Sequence, residues 1–274
     1  MLNRLSPEVR CIAHRGAASL APENTLAAAR KAFELGAAMW ELDVSVTADG
    51  ELIVLHDDSL ARTTNVVTVF PERAPWPLTA FTLAEIKRLD SGSWYLDADP
   101  FGTIASGAVP AAEQAAWRGE PIPTLREALL FTREHDWRVN VEIKASLPPL
   151  DSFPVVEAVV ALIEALDMVE RVILSSFVHS YLPQAKALNP ALPTAALIDA
   201  GETWPEGLVV DAFHPHYTLA TAEKVRALRQ AGFAVHPWTV NDRLEMRRLI
   251  QAGVTGIITD FPQILKPLTD ESIR

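Results

Sequence analysis

Apolar and polar positions along this chain fall into short apolar runs separated by amphipathic stretches. The runs Cys11–His14, Met39–Val44, Val139–Lys144, Val172–Ser176, Thr194–Ile198, Val209–Phe213, Ala234–Thr239 and Gly256–Thr259 read as strands. Between most of them apolar residues recur at helical spacing, over Asn24–Leu35, Thr124–His135, Phe153–Leu166, Thr221–Gln230 and Asp242–Gln251. Gly36, Gly232 and Gly253 follow three of these helices as stop signals, because glycine enters the left-handed conformation that ends a helix at little cost. Strand alternating with helix predicts a parallel sheet. Eight such strands over about 250 residues predict an α/β fold closed into a (β/α)8 TIM barrel. The alternative is an open doubly wound sheet. It wants a glycine-rich phosphate loop after the first strand, and His14-Arg15-Gly16-Ala17-Ala18 is not one.

Two stretches break the rhythm. Glu51–Leu55 reads as a ninth strand behind the Asp49-Gly50 turn, a hairpin signal that places it outside the barrel and near its mouth. From Thr63 to Pro121 prolines recur and only Leu83–Leu89 has a clear helical pattern. This stretch reads as a small inserted subdomain between barrel strands two and three, expected over the catalytic end. The chain, 1–274, is thus read as one domain with an insertion at about 63–121.

Composition narrows the classes. A hydrophobic content of 49% supports a sizeable core, and the single cysteine, Cys11, excludes an internal disulfide and fits a reducing compartment. A formal net charge of −11 argues against nucleic acid and against anionic membrane surfaces. An anionic substrate must therefore be held by local cations. Met1–Arg10 contains no apolar core of a secretory signal, and no apolar run is long enough to span a bilayer. The expectation is a cytoplasmic protein with a small-molecule substrate, no nucleic-acid partner and no membrane partner; its oligomeric state is left open.

The sharpest chemical signal lies in Met39-Trp40-Glu41-Leu42-Asp43-Val44. Residues two apart on a strand share a face, so Glu41 and Asp43 project together while Trp40, Leu42 and Val44 face away. Burying two like charges side by side is costly unless a cation compensates them. The same parity puts Asn140, Glu142 and Lys144 on one face of the third barrel strand. Glu41, Asp43 and Glu142 together make an oxygen-only donor set for one hard divalent ion, Mg²⁺ or Ca²⁺, with Mn²⁺ as a third candidate. Arg15 and Lys144 add positive charge suited to a phosphate, and His14 and His56 exchange protons near neutral pH. Such a group of side chains at strand C-terminal ends describes phosphate-ester hydrolysis. Plainer readings stand beside it. Lys144 also fits an ion bridge to Glu142, Asp57 fits equally a partner behind a site residue or a turn or cap, and Trp238 and Phe177 fit core fillers. Pro22-Glu23-Asn24-Thr25 fits a helix start capped by Asn24 or a neighbour, with Glu23 steadying the loop under the site. His236 is read as structural, and His214-Pro215-His216 is too thin for a zinc site.

The ordered series His14-Arg15-Gly16, Pro22-Glu23-Asn24-Thr25, Glu41-Leu42-Asp43, His56-Asp57, Glu142-Ile143-Lys144, Ser176-Phe177, Trp238-Thr239-Val240-Asn241 and Gly256-Ile257-Ile258-Thr259-Asp260 resembles the glycerophosphodiester phosphodiesterases, in their bacterial, cytoplasmic form. The resemblance runs from Cys11 to Pro262. It implies hydrolysis of glycerophosphodiesters, such as glycerophosphocholine or glycerophosphoethanolamine, to sn-glycerol 3-phosphate and an alcohol. It further implies Glu41, Asp43 and Glu142 as metal ligands, Arg15 and Lys144 on the phosphate, His14 and His56 as the acid–base pair, and Phe177 and Trp238 as apolar walls for the glycerol. Two alternatives are a phospholipase C- or D-like enzyme acting on lipid headgroups and a catalytically silent barrel used for binding.

Overall fold

The computed structural model describes residues 9–271; most of the leading segment read above for a secretory signal lies outside them. Nine strands form one sheet: β1 (Arg10–Ala13), β2 (Met39–Val46), β3 (Leu52–Val54), β4 (Val139–Ile143), β5 (Val172–Ser176), β6 (Thr194–Ile198), β7 (Ala212–Pro215), β8 (Ala234–Val235) and β9 (Gly256–Thr259). All but β3 run parallel, in the order β8-β7-β6-β5-β4-β2-β1-β9. The two ends of this series meet through backbone hydrogen bonds. Thr255 N donates to Val235 O at 3.0 Å, Ile258 N to Pro237 O at 2.9 Å, and Val240 N to Ile258 O at 3.0 Å. The eight parallel strands thus form a nearly closed barrel, joined across its seam by these bonds, as the alternation of runs predicted.

Side-chain parity divides the barrel into two apolar layers. Outward residues such as Trp40, Leu42, Val44, Val139, Val141 and Ile143 pack under the helices in the main core. Inward residues Ile12, Met39, Ile173, Ala195, Ala212, Ala234 and Ile258 fill the lumen. The three lumen alanines lie on the β6–β8 side. The fully buried His214 and His236 rings occupy that same side, hydrogen-bonded to each other at 2.9 Å. Gly256 lies against the His236 ring, where a Cβ would come within 2.8 Å of it. Burial holds His214 down at about 3 and His236 well below its ordinary value, so the pair is neutral. This fits the structural reading of His236. It removes the zinc reading, because His214 faces His236 while His216 Nδ1 engages Thr218 Oγ1 at 2.8 Å.

The helices are α1 (Leu26–Glu34), α2 (Val66–Val69), α3 (Leu83–Ile86), α4 (Ser93–Ala98), α5 (Ala111–Ala116), α6 (Leu125–Glu134), α7 (Val155–Ala165), α8 (Tyr181–Leu188), α9 (Ala222–Gln230), α10 (Arg243–Ala252) and α11 (Pro262–Glu271). The predicted starts fall on caps: Thr124 with a reciprocal Glu127, Thr221, and Asp242 accepting from Leu244 N and Glu245 N. The cap of α1 is Thr25, whose hydroxyl accepts from Ala28 N; Asn24 is released for another task. One strand is displaced from its predicted place. Val209 is exposed and the ladder begins at Ala212, because Asp211 anchors the entry by accepting from Thr194 N and Lys186 Nζ. The strand then runs on through Pro215, whose carbonyl accepts from Trp238 N.

β3 is the predicted hairpin strand. It pairs antiparallel with β2 in the register Val44↔Val54, Ser45↔Ile53 and Val46↔Leu52, and Leu55 N donates to Asp43 O at 3.0 Å. Its apolar face joins Phe70, Leu78, Phe81, Ile86 and Ile122 in a second, smaller core beside the barrel. Four short α-helices and two 3-10 turns, Pro71–Arg73 and Leu78–Ala80, lie in the segment 63–121, where one helix was expected; pieces of three to six residues carry too few turns for a period to be read.

Candidate active site

The C-terminal strand ends bring His14, Arg15, Glu41, His56, Glu142, Phe177 and Trp238 to the wall of one cavity of about 60 Å³, together with Asn140, Leu197 and Ile258. Asp43 lies just beneath, 1% exposed, and Lys144 stands at the rim, 3.7 Å from Glu142 Oε1 and 3.9 Å from Asp43 Oδ1. Every candidate read from the sequence therefore gathers at this mouth. Among the described residues, none of the cavity lining comes from 63–121; the insertion flanks the mouth and does not line it.

The turn after β1 sets the first half of the site. Arg15 has φ +53° and Gly16 φ +84°. A Cβ on Gly16 would sit 2.6 Å from Ala28, so only glycine lets this turn press against α1. The twisted backbone points Arg15 N at Glu41 Oε2, 2.8 Å away, and places Arg15 Nε 3.3 Å from Asp43 Oδ2. Asn24, at φ +57°, donates from Nδ2 to Asp43 Oδ2 at 2.8 Å. His14 Nδ1 engages Asp260 Oδ1 at 2.7 Å, and Asn241 Nδ2 donates to Asp260 Oδ2 at 2.6 Å. His56 Nδ1 engages Asp57 Oδ1 at 2.8 Å. With Nδ1 of both imidazoles directed at a carboxylate, Nε2 is the nitrogen each offers to a substrate.

Glu41, Asp43 and Glu142 each offer an oxygen, and these atoms all lie within 4.8 Å of one another. Their electrostatics show the strain of three acids in one place. Burial, and then the charge of Asp43, push Glu41 up to about 7. Burial, Asp43 and Glu41 together push Glu142 up to about 8. Burial also presses Asp43 upward, but Arg15, His56, Lys144 and the Asn24 amide outweigh it and hold this acid below its usual range. Burial and Arg15 work against a charged His14, yet Asp260 and Glu41 prevail and raise it. An oxygen-only pocket with two strained carboxylic acids fits a hard divalent cation, which would relieve both.

The facing wall is aromatic. Phe177 and Trp238 meet edge to face at 5.4 Å, and Trp238 Nε1 donates to His214 O at 2.7 Å. Phe177 remains 41% exposed, which favours the wall reading over a core filler.

The model of the Glycerophosphoryl diester phosphodiesterase family matches residues 14–264, nearly the whole chain. The chain belongs to that family. A glycerophosphodiester phosphodiesterase of Caldanaerobacter subterraneus subsp. tengcongensis is 38% identical over 258 residues, 93% of this chain and 95% of that protein. One of Bacillus subtilis is 32% identical over 281 residues, 96% of this chain and 87% of that protein. An Oleispira antarctica phosphodiesterase, solved in complex with the product sn-glycerol-3-phosphate, superposes with a TM-score of 0.78 at 28% identity, covering 97% of this chain and 99% of that one. This member of the family is therefore an enzyme with glycerophosphodiester phosphodiesterase activity. No described helix is long and apolar enough to cross a membrane.

Several side chains at the mouth of this phosphodiesterase have partners that the sequence reading did not assign. Asp260 stands in the motif series without a role of its own, and the rule that strand ends carry function, applied to β9 beside β1, would have given it one. Asn24 passed for a cap. Arg62 gave no signal: its partners are Asp57 and, 39 positions away, Glu23.

Proposed function

We propose that the chain hydrolyses glycerophosphodiesters such as glycerophosphocholine and glycerophosphoethanolamine to sn-glycerol 3-phosphate and the free alcohol, with one divalent ion held by Glu41, Asp43 and Glu142. The observation that carries this reading is the convergence of those three acids with two carboxylate-oriented imidazoles and two cations at one mouth. When bound, the ion supplies charge stabilisation at a phosphate oxygen. Arg15 and Lys144 bind the remaining phosphate oxygens and stabilise charge there in the transition state. His14, held by Asp260, removes through Nε2 the proton of the attacking water, or that of the neighbouring glycerol hydroxyl in a route whose cyclic phosphate water then opens. His56, held by Asp57, donates a proton from Nε2 to the departing alcohol oxygen. Phe177 and Trp238 pack on the glycerol carbons and keep water from that side. A screen of glycerophosphocholine, -ethanolamine, -glycerol and -inositol against Mg²⁺, Mn²⁺, Ca²⁺ and EDTA, with enzymatic detection of sn-glycerol 3-phosphate, tests the reading. Turnover restored to the chelated enzyme by one of the ions is expected. Undiminished turnover in EDTA would overturn the metal role, and full turnover in His14→Ala the role of His14.

A further inference from the structure

Arg62 stands where the chain leaves the hairpin strand for the segment 63–121, outside the cavity. Its guanidinium is shared between two carboxylates. Nε and Nη2 donate to Asp57 at 2.5 and 2.9 Å, while Nη1 and Nη2 donate to Glu23 at 2.9 and 2.8 Å. The same guanidinium lies 5.6 Å from the ring centroid of Trp94, inside the insertion. Each carboxylate has a second partner, and both partners line the cavity. Glu23 Oε1 accepts from Arg15 Nη1 at 2.8 Å, and Asp57 Oδ1 meets His56 Nδ1 at 2.8 Å. Two short relays thus diverge from one side chain, Arg62–Glu23–Arg15 and Arg62–Asp57–His56.

An isolated surface ion pair contributes little. This arrangement differs in geometry. A guanidinium is a rigid planar fork whose donors leave at fixed angles, so holding two carboxylates at once fixes each relative to the other. A lysine ammonium offers charge without that fork. We propose that Arg62 is a positioning residue of the phosphodiesterase, setting Arg15 against the phosphate through Glu23 and His56 against the leaving oxygen through Asp57. Through the Trp94 contact, the insertion reaches the chemistry by way of this guanidinium, without a residue of its own in the cavity. The inference rests on the roles given above to Arg15 and His56.

The test is a set of double-mutant cycles on the metal-loaded enzyme with glycerophosphocholine, reading kcat, KM and inhibition by inorganic phosphate. Glu23→Gln is expected to weaken phosphate inhibition and raise KM about tenfold, with a smaller effect on kcat. Asp57→Asn is expected to lower kcat about 10- to 100-fold with KM little changed. Arg62→Ala should show both losses, and Arg62→Lys should recover only part of them. On an Asp57→Asn background, Arg62→Ala should lower kcat by no more than about twofold further. General loosening of the fold would depress both parameters in every variant and would not separate along the two branches. Arg62→Ala and Arg62→Gln enzymes within about twofold of wild type in every parameter, or losses that multiply fully in the double variants, would overturn the role of Arg62. A wild-type chain that releases no sn-glycerol 3-phosphate with any ion would instead overturn the functional reading on which this one stands.

Discussion

The acidic cluster makes a prediction about stability as well as activity. Glu41 and Glu142 are raised from 4.5 to about 7 and about 8 by burial and then by the charge of Asp43, with Glu41 adding to the push on Glu142. A carboxyl whose folded pKa lies above its unfolded value stabilises the fold most below the unfolded value, and that stability is lost as pH rises through the folded one. The window is therefore about pH 4.5 to 8. Asp43 shifts the other way, so its contribution is lost only below the ordinary carboxylate range, outside this window. Each pH unit of displacement corresponds to about 1.4 kcal/mol. Above pH 5 the displacements span roughly 2 pH units for Glu41 and 3 for Glu142, so the metal-free cluster forfeits on the order of 5–7 kcal/mol between pH 5 and pH 8.5. For a chain of this size that is roughly 10 °C in Tm. The assay is thermal unfolding across pH in EDTA and in saturating Mg²⁺ or Ca²⁺, for wild type and Glu142→Gln. Chelated wild type should melt progressively lower toward pH 8.5, and the ion should restore it. Glu142→Gln, with one buried charge fewer, should melt higher than wild type in EDTA at pH 8.5 and gain less from metal. If chelated Glu142→Gln melted no higher than chelated wild type at alkaline pH, the repulsion inferred from the structure would be wrong.

Three further outcomes follow from other contacts. Asp260→Asn removes the charge that raises His14; it should lower kcat about 10- to 100-fold and move the acid limb of the kcat/KM profile to lower pH. Gly256→Ala places a methyl 2.8 Å from His236 Cδ2 and 3.0 Å from Ile12 Cδ1. It should cost about 1–3 kcal/mol in urea unfolding, partly recovered in the Gly256→Ala/His236→Ala double variant. Trp238→Phe keeps an aromatic face but loses the 2.7 Å bond to His214 O. A several-fold higher KM with kcat nearly unchanged is expected in steady-state assays; unchanged KM would return Trp238 to the role of a filler.

What could be read from the chain alone was whatever local periodicity encodes. A period of two placed Glu41 beside Asp43 and Glu142 beside Lys144, and the alternation of runs with capped helices gave the nearly closed barrel. The features missed are those set by partners distant in sequence. Asn24 looks like a cap because capping is the common use of asparagine before a helix, and only its left-handed backbone turns it onto Asp43. Arg62 joins Glu23 to Asp57 across a fold that sequence spacing does not describe. The late start of β7 has a similar origin, since the Asp211 anchor outweighs the apolar Val209-Val210 run.

The β2–β3 hairpin carries one more consequence. Its pairing ties Val44 to Val54, and Leu55 N closes on Asp43 O, so the proposed ion ligand and the imidazole one step past Leu55, the proposed proton donor, are spaced by a single count of residues. The tight turn at Asp49-Gly50 therefore acts as a ruler for the reaction. Adding or deleting one residue there would recalibrate the distance between ion and imidazole while leaving every catalytic side chain in the chain, making loop length itself a determinant of turnover.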